Sequence, residues 1–131
     1  MEEEGDEAKL DMVSALSFIQ AKLQHSIAAS SVISRIVSFK GIEMGLIQES
    51  CYREGRIRDL NIPGYTLFSA SRTGRPSACI LTRNETARML PGFSCRNIVA
   101  FLIKYNEEGA ERRLVVCSAY LHYDSEYPPP P

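Results

Sequence analysis

The first apolar run of this chain, Ser17 to Leu23, reads Ser-Phe-Ile-Gln-Ala-Lys-Leu and predicts a strand. Beyond it Ala29, Val32, Ile33, Ile36 and Val37 fall at i, i+3, i+4, i+7 and i+8. That spacing puts one apolar stripe on a helix over roughly residues 27–39. Ser26 is placed to accept a hydrogen bond from the first free amides of such a helix. Gly41 suits its left-handed stop. Met44 to Gln48 is then a short second strand that delivers Glu49 at its end.

Residues 51–63 are polar and predict a loop, and Pro63-Gly64 marks a turn. Tyr65 to Phe68 and Ala78 to Leu81 predict two strands joined as a hairpin by Ser71 to Pro76. Ile98 to Tyr105 and Leu114 to Tyr120 are nearly continuous apolar runs across a charged turn, Asn106 to Glu111, that contains Gly109. Continuous runs predict strands buried on both faces. The order strand, helix, strand, then hairpins points to an α/β or α+β domain with a mixed sheet flanked by a helix. By composition residues 1–14 form an acidic tail, expected to be disordered. The domain is expected over 15–126, and 127–131 is a proline-rich end that cannot continue a ladder.

Charge sharpens this only slightly. Six acidic residues against Lys9 give −5 over residues 1–11, which leaves +4 for the rest of a chain whose net charge is −1. A mildly basic body allows a nucleic-acid partner without demanding one. The four cysteines show no CxxC spacing, so zinc is not expected, and Cys79 and Cys117 read as small buried hydrophobes. No apolar run approaches a membrane span, and the acidic N-terminus is unlike a secretory signal. An intracellular protein is expected.

Three segments could carry chemistry. Glu49 stands directly after an apolar strand, where a carboxylate could serve a hard divalent cation. Ser118 to Ser125 runs from a strand into polar and aromatic residues, and the Tyr120 hydroxyl could hold a phosphate oxygen. His122 could be a proton carrier, against the plainer reading of a strand end with amphipathic tyrosines at its rim. The third is Gln20-Ala21-Lys22-Leu23-Gln24-His25-Ser26, a polar strand-to-helix connection. Arg53, Arg56, Arg58, Arg72 and Arg75 are candidate nucleic-acid contacts, against the plainer reading of solvated loop charges.

Taken in order, these segments together with Arg83-Asn84, Ile57-Arg58, Thr66 to Ala70 and Arg96 to Ala100 resemble the endonuclease domain of arthropod-type non-LTR retrotransposons. Those domains belong to the wider endonuclease/exonuclease/phosphatase family. The resemblance runs through most of residues 17–126. It implies the N-terminal part of a four-layer α/β/β/α sandwich and Mg²⁺-dependent (or Mn²⁺-dependent) hydrolysis of DNA phosphodiesters. It also implies a metal-binding role for Glu49, an active-site role for Tyr120, and a nuclear setting if the chain is part of a retroelement.

The departures carry their own implications. Where the family places an active-site asparagine this sequence has Lys22, and an ammonium offers a metal no lone pair. The family's Gly-Asp-Phe-Asn and Ser-Asp-His segments do not occur. Without the base and phosphate-holding groups those segments supply, the chain is expected to be inactive by itself, with Mg²⁺ bound weakly or not at all. Half a sandwich would also leave an apolar inner sheet face open, which predicts self-association, a covering partner or poor solubility. Two alternatives stand beside the endonuclease reading: a non-catalytic nucleic-acid or protein interaction module, and a decayed retroelement reading frame.

Overall fold

The computed structural model describes residues 16–70 and 74–121. The acidic tail, Arg72, His122 and the proline-rich end lie outside the described residues.

Strand β1 (Phe18–Lys22) leads into helix α1 (Ile27–Lys40) and then β2 (Met44–Gln48), which lies parallel to β1. The Ser26 hydroxyl accepts from the Ala29 amide at 3.1 Å, and Gly41 closes the helix at φ 64° with its N–H on the Ser38 and Val37 carbonyls. Both ends therefore form as the sequence predicts. The buried face of the helix is shifted from the predicted stripe. Val32 is exposed, while Ser30 is fully buried with its hydroxyl donating to the Ser26 carbonyl. A small hydroxyl that satisfies itself on the preceding turn can sit at a close contact where valine would have to be accommodated.

The segment expected to be loop is partly ordered into a hairpin, β3 (Tyr52–Arg53) with β4 (Arg56–Ile57). Its turn residues Glu54 and Gly55 both have positive φ, 55° and 82°. Strands of two residues are too short to carry a period, which is why the pattern missed them. Cys51, Leu60 and Ile62 from the same segment are buried.

Strands β5 (Thr66–Phe68) and β6 (Ala78–Thr82) pair antiparallel, as expected. They complete a mixed four-stranded sheet in the order β1-β2-β6-β5. A second sheet holds β7 (Arg88–Met89), β8 (Ile98–Glu107) and β9 (Ala110–Ala119) in that order. A single-turn 3₁₀ helix at Pro91–Phe93 precedes β8. The β8–β9 turn is tighter than predicted: only Glu108 and Gly109 leave the ladder, at φ 52° and 82°. Two successive left-handed residues match the twist of a two-residue hairpin.

The packing alternates along the central strands. Val37 and Ile33 of α1 pack with Ile47, Cys79 and Leu81 on one face of the first sheet. Met44, Ala78 and Ile80 pack with Val99, Phe101 and Ile103 of the second sheet on the other. Phe68 and Phe101 meet edge to face across that layer, with centroids 4.8 Å apart. The result is three layers, helix, sheet, sheet, consistent with part of an α/β/β/α sandwich.

Two expectations are corrected here. The inner sheet faces are not open, because the two sheets cover each other. The open face is the outer one of the second sheet, where Val115 is 57% exposed and Cys117 is exposed. Strand β9 is thus not buried on both faces, and Cys117 is not a core residue. Its apolar run resembles that of β8, but only Val116 and Ser118 turn inward to buried contacts.

Candidate functional site at the strand ends

Because β1 and β2 are parallel and in register, Lys22 beside Gln48, their C-terminal ends share one edge of the sheet. Strand β9 ends at the same edge. The buried Gln48 amide donates to the Ser118 hydroxyl at 2.8 Å, and that hydroxyl donates to the Ile47 carbonyl at 2.9 Å. This polar link crosses the two sheets and fixes Tyr120 relative to Glu49. Tyr120 is further held by its N–H on the Asn97 carbonyl at 2.9 Å.

The backbone turns sharply at this edge. Gln24, His25 and Glu49 all have positive φ (51°, 61° and 52°) although none is glycine. Such residues cost of order 1–3 kcal/mol each and persist where neighbours hold them. Here the His25 amide donates to the Glu49 carbonyl at 2.7 Å and the Glu49 amide to the Ser77 carbonyl at 2.9 Å. The Glu49 carboxylate is consequently aimed back across the ends of β1 and α1.

Two cationic side chains engage that carboxylate. The Lys22 Nζ lies 3.7 Å from Glu49 Oε1, and His25 Nε2 lies 3.6 Å from Oε2, a charged contact only when the imidazole is protonated. The same Lys22 ammonium sits 5.4 Å from the centre of the Tyr120 ring, within cation–π range. Glu49 is 13% exposed, Lys22 55% and His25 42%, so a recessed carboxylate lies behind reachable donors. The three sequence segments singled out for chemistry therefore meet at one place. His25 was read only as part of a polar connection, and its position in a left-handed turn is what brings it to Glu49. Asn97 was overlooked. Its side-chain oxygen is buried without a hydrogen-bond partner, immediately before β8, the strand that pairs with β9.

The residues present do not fit Mg²⁺ or Mn²⁺ well. Such ions take oxygen ligands and keep several waters. Among the described residues no group of three or more His, Cys, Asp or Glu side chains converges. The single carboxylate is already paired with an ammonium.

Among the described residues, the candidate arginines do not join this constellation. Arg56 and Arg58, with Arg35, Ser31, Ser34 and Ser38, line a groove of about 680 Å³ between α1 and the β3–β4 hairpin. Arg58 pairs with Glu54, and its Nε is buried without a partner. Arg53 and Arg75 are exposed. Arg83-Asn84 lies at the opposite end of the sheet, where Arg83 Nε pairs with Glu43 at 3.5 Å and Asn84 caps a turn through Thr86. Its part is structural.

No protein-family model matches the sequence, and no curated protein does. Among solved structures, the endonuclease domain of TRAS1, a telomere-specific non-LTR retrotransposon, is similar in fold with a TM-score of 0.62 at 19% identity. The chain shares that fold. The match covers 84% of this chain and 48% of that one, so the protein spans about half the length of the domain it is similar to. A humanized TDP2 of D. rerio aligns at 14% identity and TM-score 0.49, over 78% of this chain and 46% of that one. An endonuclease/exonuclease/phosphatase family protein from Leptotrichia buccalis aligns at 14% identity and TM-score 0.48, over 82% and 55%. No described helix is long and apolar enough to cross a membrane.

Proposed function

We infer that this chain is the Glu49-bearing part of a retrotransposon-type, Mg²⁺- or Mn²⁺-dependent DNA endonuclease, and that by itself it binds DNA phosphate without hydrolysing it. The observation that carries this is the meeting of Glu49, Lys22, His25 and Tyr120 at one sheet edge. Its support is threefold: the motif order of the sequence, the fold shared with the TRAS1 domain, and a sheet edge of the kind on which sites are often built. Hydrolysis is not expected of the chain alone, because the Glu49 carboxylate is paired with Lys22 and, among the described residues, no cluster of three or more acidic, His or Cys side chains gathers there. A DNA substrate is also the argument for a nuclear location.

The test is nicking of supercoiled plasmid by the purified chain in Mg²⁺ or Mn²⁺, paired with anisotropy of a labelled duplex across salt concentrations. No nicking is expected, with weak binding that falls as salt rises. Nicking that disappears in Glu49→Ala would overturn the inactive reading. Negligible, salt-independent affinity would remove DNA as the ligand.

A protein-interaction reading is favoured by one specific observation. Val115, Cys117 and Ala119 form an exposed apolar row on the outer face of the second sheet. A covering partner or a second copy is the expected occupant. Light scattering across a concentration series checks it, since a monomer that stays soluble at every concentration argues against it.

A further inference from the structure

We propose that Lys22 is the resident cation of this site: its ammonium takes the place of a divalent ion on Glu49 and holds a phosphate ester with no metal. This rests on the phosphate-binding reading above and names how the phosphate is held.

The geometry supplies both halves. A divalent ion bound to Glu49 Oε1 would sit at about 2.1 Å from it. With Lys22 Nζ 3.7 Å from the same oxygen, ion and ammonium would be no more than roughly 6 Å apart. Two cations that close compete for one carboxylate, and the other carboxylate oxygen faces His25. An ammonium, in contrast, has three donors and no acceptor. The ammonium faces Glu49 across a 3.7 Å ion pair, too long for a hydrogen bond, on a side chain that is 55% exposed and lies 5.4 Å from the centre of the Tyr120 ring. Lys22 can therefore bridge the carboxylate and a phosphate oxygen, which is the electrostatic part a bridging metal plays at phosphate sites.

The experiment uses the whole chain as wild type, as Lys22→Asn, and as Lys22→Asn combined with Glu49→Gln, each first shown to melt cooperatively. Mn²⁺ binding is read from the free-ion electron paramagnetic resonance signal. Inorganic phosphate is titrated in EDTA and followed by amide shifts at Lys22 to His25 and at Tyr120. In the wild type, phosphate is expected to shift those amides and Mn²⁺ to bind poorly. In Lys22→Asn the phosphate shifts should vanish and Mn²⁺ affinity should rise on the order of 10- to 100-fold, the range by which groups beside a ligand change metal affinity. The double variant should lose that gain, which assigns the ion to Glu49. Equal Mn²⁺ affinity in wild type and Lys22→Asn, or phosphate shifts that survive the substitution, would overturn the proposal. Neither readout involves DNA, so failed duplex binding with these results intact would sink only the nucleic-acid reading.

Discussion

The two sheets of this protein live under different conditions. The four-stranded sheet has α1 on one face and the second sheet on the other, and its strands β2 and β6 are buried almost throughout. The three-stranded sheet has cover on one face only. Strand β8, in its middle, is buried at Val99 to Phe101 and at Ile103, while β9, at its edge, is exposed at eight of its ten positions. An apolar side chain in β2 or β6 removes surface from water whichever way it points. One in β9 does so only when it points inward. Equal hydrophobicity in the sequence therefore need not mean equal contribution to stability.

The largest contrast should appear in thiol reactivity. Cys79 is fully buried between the first sheet and α1, and burial pushes its thiol up to about 12 despite a hydrogen bond involving Ser50. At pH 8 only about one such group in 10⁴ is thiolate, and it is out of reach. Cys51 is buried as well, while Cys95 and Cys117 are exposed. A maleimide followed by mass spectrometry should modify two thiols quickly in the folded protein and four after unfolding. Slow labelling at Cys117 would mean that the outer face of the second sheet is covered in solution.

Stability should follow the same division. Phe101→Ala removes a fully buried ring from between the sheets and is expected to cost about 3–5 kcal/mol in urea unfolding. Val115→Ala, on the neighbouring strand but facing outward, should stay within about 0.5 kcal/mol. Comparable losses would erase the distinction between the two environments. An intermediate loss is expected for Ser118→Ala, which strips the buried Gln48 amide of its partner, at about 1–3 kcal/mol. Because that link sets Tyr120 against Glu49, its loss should also move the Tyr120 amide resonance. An unmoved Tyr120 would show that the Asn97 contact alone positions it.

Local signals were legible wherever physics acts over a few residues. Ser26 and Gly41 bound α1 as their chemistry predicts, and Pro63-Gly64 turns the chain, with the Tyr65 amide closing on the Ile62 carbonyl at 3.0 Å. The central strands β2 and β6 of the first sheet were legible because both faces are buried and their runs are nearly unbroken. The β3–β4 hairpin was not, since two residues a side carry no period. The exchange of Val32 for Ser30 on the helix face was not, because apolar spacing does not register a hydroxyl that satisfies itself.

By itself the sequence determined the order of the longer elements, the ends of the helix, and the fact that Glu49 and Tyr120 close apolar strands. Residue type and spacing suffice for these, as each depends on hydrogen bonds and burial within one element or its nearest turn. Only the tertiary structure decided that Lys22 and His25 share the Glu49 carboxylate, that Arg56 and Arg58 line a separate groove, and that β9 faces outward. Those outcomes depend on which strand ends share an edge and which face finds a partner. Contacts between residues 20 to 100 positions apart set them, and no local pattern encodes such contacts.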